Sequence, residues 1–137
     1  MMEEVTKYYH RQNPEIDVAN LRLSSVCPHA RMTAPMKPGP LVESGLGSIT
    51  VMARSDAVRV FTMAAEAPYR PGVRTMNASG PKAWVVAPVA EILGNWWGRD
   101  VDLSHFEKPG HEYDSVYDVS RIETENGFVA EKTPGTG

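Results

Sequence analysis

The side chains of this 137-residue chain that could do chemistry lie in two places, a serine pair near the start and a histidine- and carboxylate-bearing stretch near the end. Ser24 and Ser25 close the run Leu21-Arg22-Leu23 and lead into Val26-Cys27-Pro28, which reads as a buried strand entering a ligand-facing turn. His105, His111 and Glu112 raise the question of a metal, because imidazole and carboxylate are zinc-type ligands. Their spacing fits no compact ligand pattern, and Cys27 with His29 offers only two ligands. They read as surface or turn histidines, and no metal is expected. Glu107, Glu112, Asp114 and Asp118 could mimic an acid/base pair, but a charge-rich loop of this kind is ordinarily just solvated. None of Tyr8, Tyr9, Tyr69, Tyr113 and Tyr117 is followed four residues later by lysine. A phenol with an ordinary pKa of about 10 therefore has no cation at that spacing to bring it toward neutrality.

The elements that must position these groups follow from periodicity and punctuation. Met1, Met2, Val5, Tyr8 and Tyr9 recur at helical spacing until Asn13-Pro14, but no capping residue precedes them, so the helix reads as cut at its start. Ile16 to Cys27 predicts one short strand buried on both faces of a parallel sheet. His29 to Gly47, rich in Pro and Gly, is a long loop. Ile49 to Met52 reads as a short strand. Ser55 is placed as the cap of a helix presenting Val58, Phe61 and Ala65, stopped by Pro68. Val73 to Asn77 is a strand ended by Ser79-Gly80-Pro81. Pro88 opens a helix carrying Val89, Ile92, Leu93 and Trp96, and Gly98 closes it. Val101, Leu103 and His105 alternate as in a half-exposed strand, and Ser120 to Glu123 has capping-box spacing ahead of Gly127. This order is that of an α/β chain.

Composition narrows the function classes. A 42% apolar and 23% charged chain is of globular type, and its formal charge of −3 with scattered cations gives no field for nucleic acid. One cysteine forms no internal disulfide, and no apolar stretch has the length of a signal or a membrane span. A reducing cytoplasm is the default expectation. Gly39, Gly45 and Gly47 lack G-x-G-x-x-G spacing and do not sit between a strand and a helix, so no dinucleotide site is read here.

A set of landmarks in order carries a family resemblance over nearly the whole chain. Tyr8-Tyr9-His10-Arg11 followed by Leu21 to Pro28 resembles a helix and then Arg-Leu-x-Asn-Val-Tyr-Gly-Pro. Ser55-Asp56-Ala57-Val58, Thr75-Met76-Asn77-Ala78, Lys108-Pro109-Gly110-His111, Asp118-Val119-Ser120-Arg121 and Asn126-Gly127-Phe128 resemble later landmarks. The family is the extended short-chain dehydrogenase/reductases, the NAD-dependent epimerase/dehydratases. The resemblance implies a partial Rossmann-like sheet edge, with residues 1–28 as its last helix and strand, and a small α/β substrate-binding subdomain over 29–137. The catalytic Tyr-x-x-x-Lys and the glycine fingerprint are missing, so the chain is expected to hold no cofactor and to be inactive alone. A full-length relative would use NAD or NADP.

The same resemblance implies substrate contacts at Ser24, Ser25, Lys108 and His111. Ser25 stands where the family has a substrate-meeting Asn, and reads either as that contact or as a turn serine bonding its own backbone. Lys108 stands at a phosphate-clamping Arg and supplies a point charge instead of a fork, or is a solvated turn lysine. Ile49 stands near another phosphate-binding Arg and donates nothing, which favours a sugar or sugar acid over a nucleotide sugar. Asp56 and Asn77 read as structural groups, and Trp84, Trp96 and Trp97 as core or interface. In the family the first helix packs in a dimer interface, which implies a homo-oligomer here. The alternative is a self-standing, non-catalytic ligand-binding or interaction module.

Overall fold

A computed structural model describes residues 2–28, 34–98 and 100–131. His29 therefore lies outside the described residues. Helix α1 (Met2–Gln12) stops ahead of Pro14, as its sequence predicts, with the Asn13 N–H closing the last turn on the Tyr9 carbonyl. Its docking inverts its amphipathicity. Polar side chains attach it to the next strand: Arg22 donates two hydrogen bonds to the Glu3 carboxylate, at 2.6 and 2.8 Å, and Asn20 donates to the Thr6 hydroxyl. Met2, Val5, Tyr8 and Tyr9 are exposed.

The expected single strand from Ile16 to Cys27 is two strands, β1 (Asp17–Leu23) and β2 (Ser25–Cys27), and each pairs with a different partner. β1 runs parallel to β4 (Gly72–Ala78), from Asp17↔Gly72 to Leu23↔Ala78. β2 runs parallel to β3 (Val51–Ala53), from Ser25↔Val51 to Cys27↔Ala53. The Ser24 N–H goes to the Ala78 carbonyl and the Ser25 N–H to the Thr50 carbonyl, so the switch occurs between adjacent residues. Burial on both faces does not hold either: Leu23 and Val26 are exposed, and the rest of β1 is at most half-buried. A single pair of strands has only one ladder and two uncovered edges, so it leaves such faces open.

Stability comes instead from two apolar clusters. Met52, Ala57, Val60, Met76, Ile122 and Phe128 pack where α3 (Arg54–Glu66) and α5 (Ser120–Asn126) meet the strands. Ile49, Val89, Ile92, Leu93 and Trp96 pack around α4 (Val89–Trp97), with Leu103 and Phe106 half-buried against them. Fully burying such side chains contributes roughly 1.5–3 kcal/mol each, well beyond what a two-strand ladder supplies. The short helix α2 (Leu46–Ile49) feeds β3 and ends the Pro/Gly-rich segment.

Several local expectations give way to this packing. In α3 the buried face is Asp56, Ala57 and Val60, while Val58 and Phe61 are exposed. The helix starts two residues earlier than a Ser55 cap requires, with Ala53 at the cap position and no side-chain cap. Asp56 accepts from Arg59 and from the Glu131 N–H, tying the chain end to α3. That confirms its structural reading. Residues 101–107 form bends, turns and irregular backbone in place of the predicted strand, and no strand among the described residues pairs with them. Ser120 is the first residue of α5 and not its cap; the Asp118 carboxylate accepts its N–H instead. Gly98 and Gly127 close α4 and α5 at positive φ, as predicted. Trp96 is core, whereas Trp97 is exposed. The architecture is mixed α/β, with two small parallel sheets. No helix among the described residues is long and apolar enough to cross a membrane.

Candidate functional site

Where the chain changes partner at Ser24, the ladders on either side leave a gap. A cleft of about 330 Å³ opens there, at the carboxyl end of β1 and β4, walled by Arg22, Ser24, Ser25, Asn77, Ser79 and Tyr117. Open parallel sheets present ligands at such strand ends, because loops diverge there and backbone groups run out of ladder partners. Two hydroxyls in this wall, Ser24 Oγ and Ser79 Oγ, are shielded from solvent and have no hydrogen-bond partner among the described residues. Ser79 is 4% exposed. A buried hydroxyl without a partner costs about 1–3 kcal/mol of desolvation, so a hydrogen-bonding group that reached this pair would be stabilised.

Ser25, Asn77 and Arg22 in the same wall are already engaged. The Ser25 hydroxyl donates to the Gly47 carbonyl at 2.7 Å, a bond to backbone 22 residues away and not to its own turn. Asn77 donates to the Asp118 carbonyl at 3.1 Å, holding the Asp118 segment against the end of β4. This is the strand-end role read from its position. The Arg22 guanidinium is committed to Glu3, whose carboxyl sits below the usual carboxylate range for that reason.

The second region is a loop that folds back on itself. The N–H groups of Phe106, Lys108, His111 and Asp114 each bond a carbonyl three residues earlier, and Gly110 allows the tightest part of the path at φ 87°. Three backbone bonds stitch the loop to the segment before α4 and to its first residue: Ala83 to Tyr113, Ser115 to Pro81 and Val89 to Glu112. The result is a convergence on one carboxylate. Asp114 Oδ2 is 2.6 Å from His111 Nδ1 and 3.0 Å from His105 Nε2, while Lys82 Nζ holds Oδ1 at 2.6 Å. Burial alone would raise the Asp114 carboxyl, but the hydrogen bonds from Lys82, His111 and His105 outweigh it and bring it down to about 2. The adjoining cleft is about 760 Å³ and shares Tyr117 with the strand-end cleft.

The four residues assigned as substrate contacts are thus divided. Ser24 and Ser25 share the strand-end cleft, His111 lies in the second, and Lys108 lines neither. Lys108 acts through its backbone, donating to the His105 carbonyl and accepting from the His111 N–H. Ser79, Tyr117 and Lys82 complete the two clefts and were not identified as site residues from the sequence. Ser79 carried a usable signal, since it follows directly on a predicted strand end. Lys82 carried none, because its partner is 32 residues away.

Comparison with protein-family models, with curated proteins and with solved structures finds no match to this chain.

Proposed function

We propose that this chain is the substrate-binding, carboxy-terminal portion of an NAD(P)-dependent sugar epimerase/dehydratase-like protein. In this reading β1 with its parallel partner is the edge of a Rossmann-like sheet, and the strand-end cleft holds a small polar ligand, a sugar or sugar acid. The observation that carries the proposal is the pair of unpartnered hydroxyls, Ser24 Oγ and Ser79 Oγ, in a cleft at the carboxyl end of parallel strands. A polyhydroxylated ligand offers hydrogen-bond donors and acceptors to both hydroxyls at once. The chain itself supplies binding and not hydride transfer, because no tyrosine in it has the Tyr-x-x-x-Lys spacing. A cytoplasmic setting goes with this reading.

Thermal-shift titration with glucose, galacturonate, UDP-glucose and NAD tests it. A ligand at 100 times its Kd stabilises by about 2.7 kcal/mol, which raises Tm by roughly 3 °C or more per kcal/mol for a domain of this size. A rise with glucose or galacturonate that Ser24→Ala removes supports the proposal. No rise, or a rise with NAD alone, overturns it.

The outward face of α1 favours a second, compatible reading, a homo-oligomer. Met2, Val5, Tyr8 and Tyr9 are 43–72% exposed on a helix whose polar side is the docked one. An apolar face turned to solvent marks an interaction surface. Sedimentation velocity distinguishes the cases: a dimer that Tyr9→Glu dissociates supports the reading, and a wild-type monomer at high micromolar concentration rejects it.

A further inference from the structure

We propose that His105, His111 and Asp114 bind one divalent transition-metal ion of the zinc class, with Lys82 holding the carboxylate from the far side. This does not rest on the sugar-binding reading, since it concerns other residues and a different cleft.

The geometry is that of a ligand set. One donor atom from each of the three residues lies within 4.8 Å of the other two. Both imidazoles present a nitrogen to the same oxygen, Asp114 Oδ2. Without a metal each nitrogen reaches that oxygen through its N–H, and metal binding would release that proton, or shift it to the other ring nitrogen, and leave the lone pair directed at the same point. Zinc bonds His nitrogen and carboxylate oxygen at about 2.0–2.2 Å, which sets donors in a tetrahedron roughly 3.3–3.6 Å apart. The observed 2.6 and 3.0 Å separations open to this by small rotations of side chains that are about half exposed.

The surroundings are equally specific. Lys82 occupies Asp114 Oδ1, so the carboxylate is left with Oδ2 for single-oxygen coordination, and its orientation is fixed by a partner outside the ligand set. Such partners tune metal sites by about 10–100-fold in affinity. The three ligands sit on a loop stitched at Tyr113, Ser115 and Glu112 and backed by half-buried Leu103 and Phe106, and the His105 ring stands edge-on to that of Phe106 at 5.1 Å. Two imidazoles and one carboxylate suit zinc-class ions and not calcium or magnesium, which take oxygen ligands. Three protein ligands leave at least one coordination position for water or a ligand oxygen.

In the sequence His105 and His111 pair most readily with Glu112, and that set has no compact ligand spacing. The turn at Gly110 and the bridge from Lys82 place Asp114 there instead.

Calorimetric titration of the chelator-treated chain with Zn²⁺ decides the matter, with Co²⁺ absorption as a structural readout. One equivalent is expected to bind, with weakening of at least about tenfold in each of His105→Ala, His111→Ala and Asp114→Asn. Cys27→Ser should leave the affinity unchanged, and Co²⁺ should give visible bands of low coordination number. Circular dichroism of each variant confirms that it is folded, and the two exposed histidines make that outcome straightforward to secure. Absence of Zn²⁺ binding, unchanged affinity in a folded His105→Ala/His111→Ala chain, or equal binding of Ca²⁺ overturns the proposal. Sugar titrations of His111→Ala separate the two readings, since the strand-end cleft does not contain His111.

Discussion

The strand-end cleft and the histidine loop both gather polar groups, but they are built by opposite means. At Ser24 the shape comes from two parallel ladders and a buried apolar cluster beneath them. At His111 it comes from consecutive turns, three stitching backbone bonds and an ionic hub at Asp114. The first rests on buried apolar side chains, Met52, Met76 and Ile122 among them. The second depends on polar contacts that water competes for, and charged pairs in such settings contribute little each. The polar demand also runs in opposite directions: the serines lack partners, whereas Asp114 has three.

The largest expected effect breaks the first region. Met76 is 1% exposed, pairs with Leu21 across the ladder and packs in the cluster under the cleft. Met76→Ala should destabilise the chain by about 2–5 kcal/mol, measured by urea unfolding, and should remove any sugar-induced thermal shift. Asp114→Asn tests the second region. Its partners Lys82, His105 and His111 are about half exposed, so the cost should be on the order of 1 kcal/mol. Amide exchange should speed up over 103–115 and stay unchanged in β4. Equal exchange changes in both regions would show that the loop is not a separate unit.

Legibility followed the same division. Helix α4 was readable because Val89, Ile92, Leu93 and Trp96 all face one cluster and Gly98 marks the stop. Ser24 and Ser25 read as closing a strand, and they lie where β1 gives way to β2. The face of α3 was misread because Val58 and Phe61 have the right period in a chain that buries the smaller Ala57 and Val60 against β3. Alternation at Val101, Leu103 and His105 imitates a strand, yet pairing is a property of two segments and none of the described residues pairs with these. Likewise the break between β1 and β2 has no mark in Leu23-Ser24-Ser25. It arises from where β4 ends and β3 begins.

A smaller effect probes the far end of β1 from the cleft. The Asp17 carboxylate accepts the Arg70 N–H and a bond from the Arg74 guanidinium, and these hold its carboxyl below the ordinary value of 3.8. A lowered native pKa means that the contribution is complete above about pH 4 and is lost as pH falls through the native value. Asp17→Asn should therefore lower Tm at pH 6, and the gap from wild type should close below pH 4. The sugar response at pH 7 should remain, because Asp17 and the cleft lie at opposite ends of the strand.

The smallest expected effect on stability is the most diagnostic for the contrast between the two regions. Ser79 is buried, its hydroxyl has no partner among the described residues, and Ala matches its shape apart from that oxygen. Removing a satisfied buried hydroxyl ordinarily costs about 0.5–1.5 kcal/mol, whereas removing an unsatisfied one is near neutral or stabilising. Ser79→Ala should therefore leave urea stability within about 0.5 kcal/mol of wild type or raise it, while cancelling the sugar-induced rise in Tm. Asp114→Asn should do the reverse, lowering stability and sparing the sugar response. If Ser79→Ala instead costs more than about 1.5 kcal/mol, its hydroxyl is a structural bond in solution, and the strand-end cleft loses the demand that marks it as a binding site.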